Sequence, residues 1–251
     1  MKKVAFTIFL ILLSCQLALF SADIFTVAGS GTVAQVQQAI KAGADVNARD
    51  YEGLTPLMAA ANYNTNPDVI SVLIKAGADV NARADNGLSP LMYAAGFNTN
   101  PDVISVLIKA GVDVNLRDGE GLTPLMYAAG FNTNADVLSV LIKAGADVNA
   151  RADNGLSPLM YAAWFNTNPD VLSVLIKAGV DVNARDKDGV TPLMLAARHN
   201  INPEVLSVLI KAGANILLKD NSGKTTFDYA KNNSSIKGTK VYWELNDAQY
   251  K

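Results

Sequence analysis

Two short stretches and one histidine have residue types that could bind a phosphate or a metal ion or take part in catalysis. Asn221-Ser222-Gly223-Lys224-Thr225 ends like a phosphate-binding loop, Asp186-Lys187-Asp188-Gly189 begins like a calcium loop, and His199 is the only histidine. None has the partners that its chemistry requires. Leu218 stands where the phosphate loop needs a first glycine, and no glutamate closes the calcium loop. No serine or cysteine constellation recurs around His199.

Carboxylates also recur, but they follow a regular spacing along the chain instead of gathering at one point. Such spacing favours a structural ladder over a pair of catalytic acids. The sequence therefore predicts no enzyme, no cofactor, no metal site and no small-molecule substrate. The carboxylates in question are Asp79, Asp113, Asp147 and Asp181.

The first 22 residues have the layout of a secretory signal peptide. Lys2 and Lys3 precede an apolar run from Val4 to Phe20, and the small residues Ser21 and Ala22 follow it. The run is shorter than the roughly 20 residues that span a bilayer comfortably. We expect residues 1–22 to be removed and the mature protein to be exported, either to the periplasm or into the medium.

A lipid anchor is the alternative, because Leu12-Leu13-Ser14-Cys15 resembles a bacterial lipobox. Leu13 is bulky where that motif prefers a small residue, and the apolar run continues beyond the cysteine. These two features favour an ordinary signal peptide. A membrane enters the prediction only if Cys15 is lipidated or the N-terminal segment stays uncleaved.

A mature chain that begins near Asp23 has no cysteine and is mildly acidic. Cys15 is the only cysteine, so such a chain has no disulfide, metal thiolate or cysteine nucleophile. Its 19 basic and 23 acidic residues give a formal charge of −4. Nucleic acid is not an expected partner, because duplex binding requires Lys and Arg to neutralise phosphates.

Repetition dominates the rest of the chain. Glycines recur 34 residues apart, together with Thr/Ser-Pro-Leu-Met and Lys-Ala-Gly motifs, and a fixed period of this length marks a repeat solenoid. The glycines are Gly53, Gly87, Gly121, Gly155, Gly189 and Gly223.

Each repeat reads as two short helices. Thr55 supplies a hydroxyl N-cap, and Pro56 suits the first helical position because that position needs no N–H donor. Asn66 and Pro67 repeat this start for the second helix, and Gly77 suits the left-handed position that ends it.

The motifs GLTPLM-x-AA and VLIKAGADVNAR resemble the ankyrin repeat, from about Asp23 to the C-terminus. The resemblance implies an all-α solenoid of L-shaped repeats, each a helix-turn-helix plus a β-hairpin or loop. It predicts about seven units: an N-cap repeat at 23–52, internal repeats at 53–86, 87–120, 121–154, 155–188 and 189–222, and a C-cap repeat at 223–251.

Two features depart from the family pattern. Met58 and its equivalents stand where the family usually has histidine, so we expect apolar packing to replace the inter-repeat hydrogen bonds of that histidine. The period is 34 and not 33, with the extra residue in the elbow between the helices. Alternate repeats are the most alike, which indicates duplication of a 68-residue pair.

Positions that vary among near-identical copies indicate where a partner binds. The resemblance places them on the hairpin tips and on the concave face, and tyrosine and tryptophan are frequent interface anchors. The predicted partner-binding residues are Tyr93, Tyr127, Tyr161, Trp164 and Arg198 on the first helices and elbows, and Tyr51, Asp85, Asn86, Glu120, Asp153, Asn154 and Lys187 at the tips.

The alternative for the tyrosines is that they pack on one another as a stabilising ladder. A second aromatic column is so regular that it indicates elbow packing: Tyr63, Phe97, Phe131 and Phe165. A row of arginines from Arg49 to Arg185 lies beside acidic residues, which indicates mutual neutralisation and not an anion site. The resulting hypothesis is a non-enzymatic module that binds another protein; the alternative is a passive structural or chaperone-like spacer of the cell envelope.

Mass spectrometry of the mature N-terminus tests the predicted export. Cleavage after the apolar run should give a chain that starts near Asp23, without lipid. A chain that starts at a diacylated Cys15 would contradict this, and so would an intact Met1.

Overall fold

The computed structural model describes residues 23–250, and both the predicted signal peptide and Cys15 lie outside that range. Fourteen α-helices and a final 3₁₀ turn follow one another in this part. The helices are α1 (Ile24–Ser30), α2 (Val33–Lys41), α3 (Pro56–Tyr63), α4 (Pro67–Lys75), α5 (Pro90–Phe97), α6 (Pro101–Lys109), α7 (Pro124–Phe131), α8 (Ala135–Lys143), α9 (Pro158–Phe165), α10 (Pro169–Lys177), α11 (Pro192–His199), α12 (Pro203–Lys211), α13 (Thr226–Ala230) and α14 (Lys240–Asp247), and the turn spans Ala248–Tyr250.

The helices begin and end where the sequence predicts. The Thr55 hydroxyl accepts the N–H of Met58 at 3.3 Å, and Pro56 occupies the first position of α3. Asn66 caps α4 by accepting the N–H of Asp68 at 3.0 Å. Gly77, just beyond α4, has φ of 94°, in the left-handed region that favours glycine. The predicted caps are confirmed.

The helices pair and stack into a solenoid. Each first helix packs against the first helices of the adjoining repeats, and each second helix does the same, so α3 contacts α5 and α4 contacts α6. Leu57, Met58 and Leu73 are fully buried between the layers. Complete burial of one such side chain contributes roughly 1.5–3 kcal/mol. The core is therefore continuous along the stack, since each repeat buries apolar surface on its neighbours.

The predicted hairpins are tight turns. Ala84 N–H donates to the Leu88 carbonyl at 3.0 Å and Gly87 N–H to the Ala84 carbonyl at 2.8 Å, but within residues 23–250 no strand forms. The nearest approach to one is an isolated bridge between Lys219 and Thr225. These turns are called the tips below.

A column of buried asparagines joins the elbows. The Asn98 side-chain amide donates to the carbonyl oxygens of Ala61 and Asn64 in the preceding repeat, at 2.9 and 3.0 Å. Its Oδ1 accepts the N–H of Asn100 at 3.0 Å within its own repeat. The same arrangement occurs at Asn64, Asn132, Asn166, Asn200 and Asn233. We call these six residues the asparagine ladder.

The ladder corrects one expectation from the sequence. Met58 is buried, but apolar packing does not take over the inter-repeat hydrogen bonds that the histidine would provide. Those bonds move to the elbow, where the asparagine ladder makes them from the second repeat onward.

A second column of inter-repeat bonds runs along the tips. The guanidinium of Arg49 donates to the Arg83 carbonyl at 2.8 Å, and Arg83 donates in turn to the Arg117 carbonyl at 2.8 Å. The row continues through Arg117, Arg151 and Arg185 to the Lys219 carbonyl. The predicted mutual neutralisation is only part of their role, because these side chains also tie each repeat to the next.

The two ends of the stack are closed by short amphipathic helices. In α2 only Val36 is fully buried, so the outer side of this helix faces solvent. Val241, Tyr242 and Leu245 of α14 join the core at the opposite end, as predicted for this segment. No helix within residues 23–250 is long and apolar enough to cross a membrane.

Replacing Asn132 by alanine should destabilise the protein by about 2–4 kcal/mol, because two buried carbonyls and one N–H lose their partner. Urea unfolding measures this loss. Asn149→Ala is the matched control: Asn149 is exposed, its side chain makes no hydrogen bond within residues 23–250, and we expect a change within about 0.5 kcal/mol. Equal losses in both variants would contradict the role given to the ladder.

Candidate functional site

Two aromatic columns lie on the face formed by the first helices, and the structure reverses their expected exposure. Tyr93 and Tyr161 are only 9% and 6% exposed, and Tyr127 is half-buried. The prediction that these tyrosines present an open binding surface is wrong. They pack against the preceding first helix, with Gly96 beneath Tyr127 and Gly130 beneath Tyr161. The alternative, tyrosines packed on one another, does not form either, because no two tyrosine rings stack within residues 23–250.

The hydroxyls of these tyrosines brace the tips. The Asn86 amide donates to the Tyr93 hydroxyl at 3.0 Å, and Asn154 donates to Tyr161 at 3.1 Å. In the intervening repeat the direction is reversed, because the Tyr127 hydroxyl donates to Asp118 Oδ2 at 2.6 Å. Tyrosine therefore links helix to tip, with asparagine or aspartate as the partner in alternate repeats.

Burial and hydrogen bonds of this kind shift the pKa values of the tyrosines and of one aspartate partner. Burial, followed by the hydrogen bond to Asp118, raises the pKa of Tyr127 far above its usual 10. Burial and the bond to Asp220 raise the pKa of Tyr229 to about 12. At Asp220 burial favours protonation, but hydrogen bonds from Tyr229, Ser222 and the Lys224 N–H outweigh it and lower the pKa to about 2.

The second column is the exposed one. Tyr63, Phe97, Phe131 and Phe165 are 72%, 50%, 43% and 43% exposed. The Phe97 and Phe131 rings stack with centroids 6.1 Å apart, and Phe131 lies 5.5 Å from Phe165. The elbow packing predicted for this column occurs between its own rings, but large areas of those rings remain open to solvent.

Trp164 and His199 extend the column toward the C-terminus. The half-buried Trp164 indole lies between Phe165 and His199, with centroid distances of 4.7 and 4.8 Å. Burial and the charge of Arg198 lower the pKa of His199, which keeps the imidazole neutral at physiological pH. The aromatic ridge is defined here by Tyr63, Phe97, Phe131, Phe165, Trp164 and His199.

The remaining predicted binding residues are exposed, but most of them are engaged within the protein. Asp85 and Asp153 pair with Arg49 and Arg117 of the preceding repeats at 3.4 Å. The Lys187 ammonium donates to the Asp153 carbonyl. The Arg198 guanidinium lies 5.6 Å above the Tyr229 ring. Tyr51 and Glu120 are exposed, with no side-chain hydrogen bond within residues 23–250.

Comparison with known proteins decides the family. Models of ankyrin repeats match residues 24–118, 95–186 and 175–230, which together span most of the chain. This chain belongs to the ankyrin repeat family. The crystal structure of the human ASB11 ankyrin repeat domain is similar, with a TM-score of 0.78 and 22% identity over 90% of this chain and 96% of that chain. No curated protein matches the sequence significantly.

Membership of the ankyrin repeat family indicates a general type of function. Ankyrin repeats are generally protein–protein interaction modules built on a scaffold without catalytic activity. The likeness to the human domain, at 22% identity, shows the fold alone.

The stretch that resembles a phosphate loop is closed by carboxylates. The Lys224 N–H donates to Asp220 at 2.9 Å, and the Thr225 hydroxyl donates to Asp228 at 2.8 Å. The backbone N–H of Thr225 is the main cause that lowers the Asp228 pKa to about 2. Two anions already occupy this turn, so it is not arranged for phosphate.

The described residues show no other arrangement with evident chemistry. Within 23–250, no group of three or more His, Cys, Asp or Glu side chains is placed to hold a metal ion. His199 stacks on Trp164, and its ring makes no hydrogen bond within residues 23–250. The exposed aromatic surface is the feature of these residues that could contact a partner.

Acid should destabilise the C-terminal repeats through Asp220 and Asp228. Their folded pKa values of about 2 lie below the ordinary 3.8, so the stability they supply is complete above about pH 4 and is lost as pH falls toward 2. Tyr229→Phe removes one donor to Asp220. The unfolding free energy of this variant, measured by urea unfolding at each pH, should vary less steeply between about pH 4 and 2. Identical slopes in the variant and the parent protein would contradict the assignment.

Proposed function

We propose that this ankyrin repeat protein is an exported binding module that holds another protein against the aromatic ridge. The observation that carries the proposal is the run of stacked, half-exposed rings along successive first helices. Soluble proteins rarely expose contiguous apolar surface without a partner for it. Aromatic side chains are also the residues most enriched in the energetic centres of interfaces.

The rigidity of the stack supports this function. Phe97, Phe131 and Phe165 are held at fixed spacing, because the asparagine ladder and the arginine row fix each repeat on the next. A preorganised surface loses little conformational freedom on binding. Export remains part of the proposal and is supported by the layout of residues 1–22.

A passive spacer is the competing function, and the same inter-repeat bonds would suit it. Site-specific crosslinking separates the two. A photoreactive phenylalanine analogue at position 131 should capture one defined protein from a native extract. The same analogue at position 217 is the control, because Leu217 is 56% exposed but lies outside the ridge.

Affinity measurements with the captured protein complete the test. The double variant Phe97→Ala/Phe131→Ala should bind it at least about tenfold more weakly, because central aromatic anchors dominate interface energetics. The variant should remain folded, since the two rings are half-exposed. Leu217→Ala should bind as the parent protein does. Capture at both positions, or unchanged affinity in the double variant, would favour the spacer.

A further inference from the structure

Two repeats lack the tyrosine that braces the tip, and in one of them no other large side chain takes its place. In two repeats an aspartate accepts a hydrogen bond from a tyrosine nine residues later: Asp118 from Tyr127, and Asp220 from Tyr229. Asp50 occupies the same position in the first tip, but the residue nine places on is Ala59. Asp186 has Leu195 at that distance, and Leu195 is buried and fills the space. Alanine cannot fill it.

An open pocket of about 700 Å³ lies where the ring is absent. Phe25 and Gly29 of α1 form one wall, and Ala59 and Tyr63 of α3 form another. Leu54 is half-buried here, whereas its equivalent in the repeat of Tyr127, Leu122, is only 6% exposed. The volume lies within the range typical of ligand pockets.

The floor of the pocket matches the surface on which a tyrosine rests elsewhere. Gly96 packs beneath Tyr127, because a Cβ at Gly96 would lie 3.6 Å from the Tyr127 Cβ. Gly29 is the equivalent residue of the first repeat, since Asn64 bonds to Ala28 just as Asn132 bonds to Ala95. A Cβ at Gly29 would lie 3.7 Å from the Ala59 carbonyl oxygen.

The carboxylate at the rim of the pocket is arranged like that of Asp118. Asp50 Oδ1 accepts the N–H groups of Glu52 and Leu54 at 2.9 and 2.8 Å. Asp118 Oδ1 accepts those of its own turn at the same two distances, and its Oδ2 then takes the Tyr127 hydroxyl. Asp50 Oδ2 has no hydrogen-bond donor within residues 23–250.

We infer that this pocket binds the side chain of a tyrosine presented by the partner protein, with the ring over Gly29 and the hydroxyl on Asp50. The inference rests on the proposed function and identifies one anchor of the partner. The chain itself supplies the template, because Tyr127 and Tyr229 show how this fold holds a phenol. Residues 1–22 contain no tyrosine and therefore cannot provide a phenol.

The first experiment needs no partner. The full chain is titrated with N-acetyltyrosinamide and with N-acetylphenylalaninamide, which differ by the hydroxyl alone, and the Ala59 methyl and Gly29 amide are followed by NMR. The tyrosine compound should bind roughly three- to tenfold more tightly, as one hydrogen bond allows. Asp50→Asn should reduce this preference, and Asp118→Asn should leave it unchanged. Equal binding of the two compounds would overturn the inference.

The second experiment fills the pocket from within. Ala59→Tyr should place a ring over Gly29 and a hydroxyl on Asp50, abolish binding of N-acetyltyrosinamide and raise the midpoint of thermal unfolding. The same variant should bind the protein captured at the ridge at least tenfold more weakly. Retained probe binding, a lower unfolding midpoint or unchanged partner affinity would each overturn the inference.

These outcomes are independent of those that test the ridge. If Ala59→Tyr binds the captured protein normally while Phe97→Ala/Phe131→Ala does not, the ridge function stands and the tyrosine anchor fails. If position 131 captures no partner, the proposed function fails, and the NMR titration still reports on the pocket.

Discussion

The stacking of the repeats depends on the buried side-chain amides of the asparagine ladder. A side-chain amide shielded from water must find partners for its polar atoms, because leaving one unsatisfied costs about 1–3 kcal/mol. Asn98 can satisfy its donors only if the preceding repeat places two carbonyls within reach, at Ala61 and Asn64. The ladder therefore sets the register of one repeat on the next, and apolar contacts alone would not fix it so closely.

Fixed register has consequences for the surface. Once the asparagine ladder and the arginine row hold the stack, the first-helix residues away from the core can vary with little effect on the fold. Phe97, Phe131 and Phe165 are aligned by that stack, so their rings stand one repeat apart and form a continuous surface. A flexible chain with the same residues would not present them together.

The same position serves two purposes in different repeats. Tyr127 supplies its own phenol to Asp118 and closes the space above Gly96. Ala59 leaves that space open beside Asp50, and the matching surface is then available to a side chain from another molecule. The stability bond of one repeat and the proposed binding contact of another are thus the same chemistry, intramolecular in the first case and intermolecular in the second.

The sequence alone determined the helices, their caps and their order, because those signals are local and occur in every repeat. Thr55, Pro56, Asn66 and Gly77 act on the backbone within a few residues of themselves, and the 34-residue period predicts a stack. Only the tertiary structure decided which aromatic column is exposed. The segment Pro-Leu-Met-Tyr-Ala-Ala-Gly-Phe is apolar on every side, so no hydrophobic periodicity distinguishes its buried face. Burial of Tyr93 and exposure of Phe97 follow from the neighbouring repeats, and the pocket beside Ala59 exists because α1 and the first tip are packed against it.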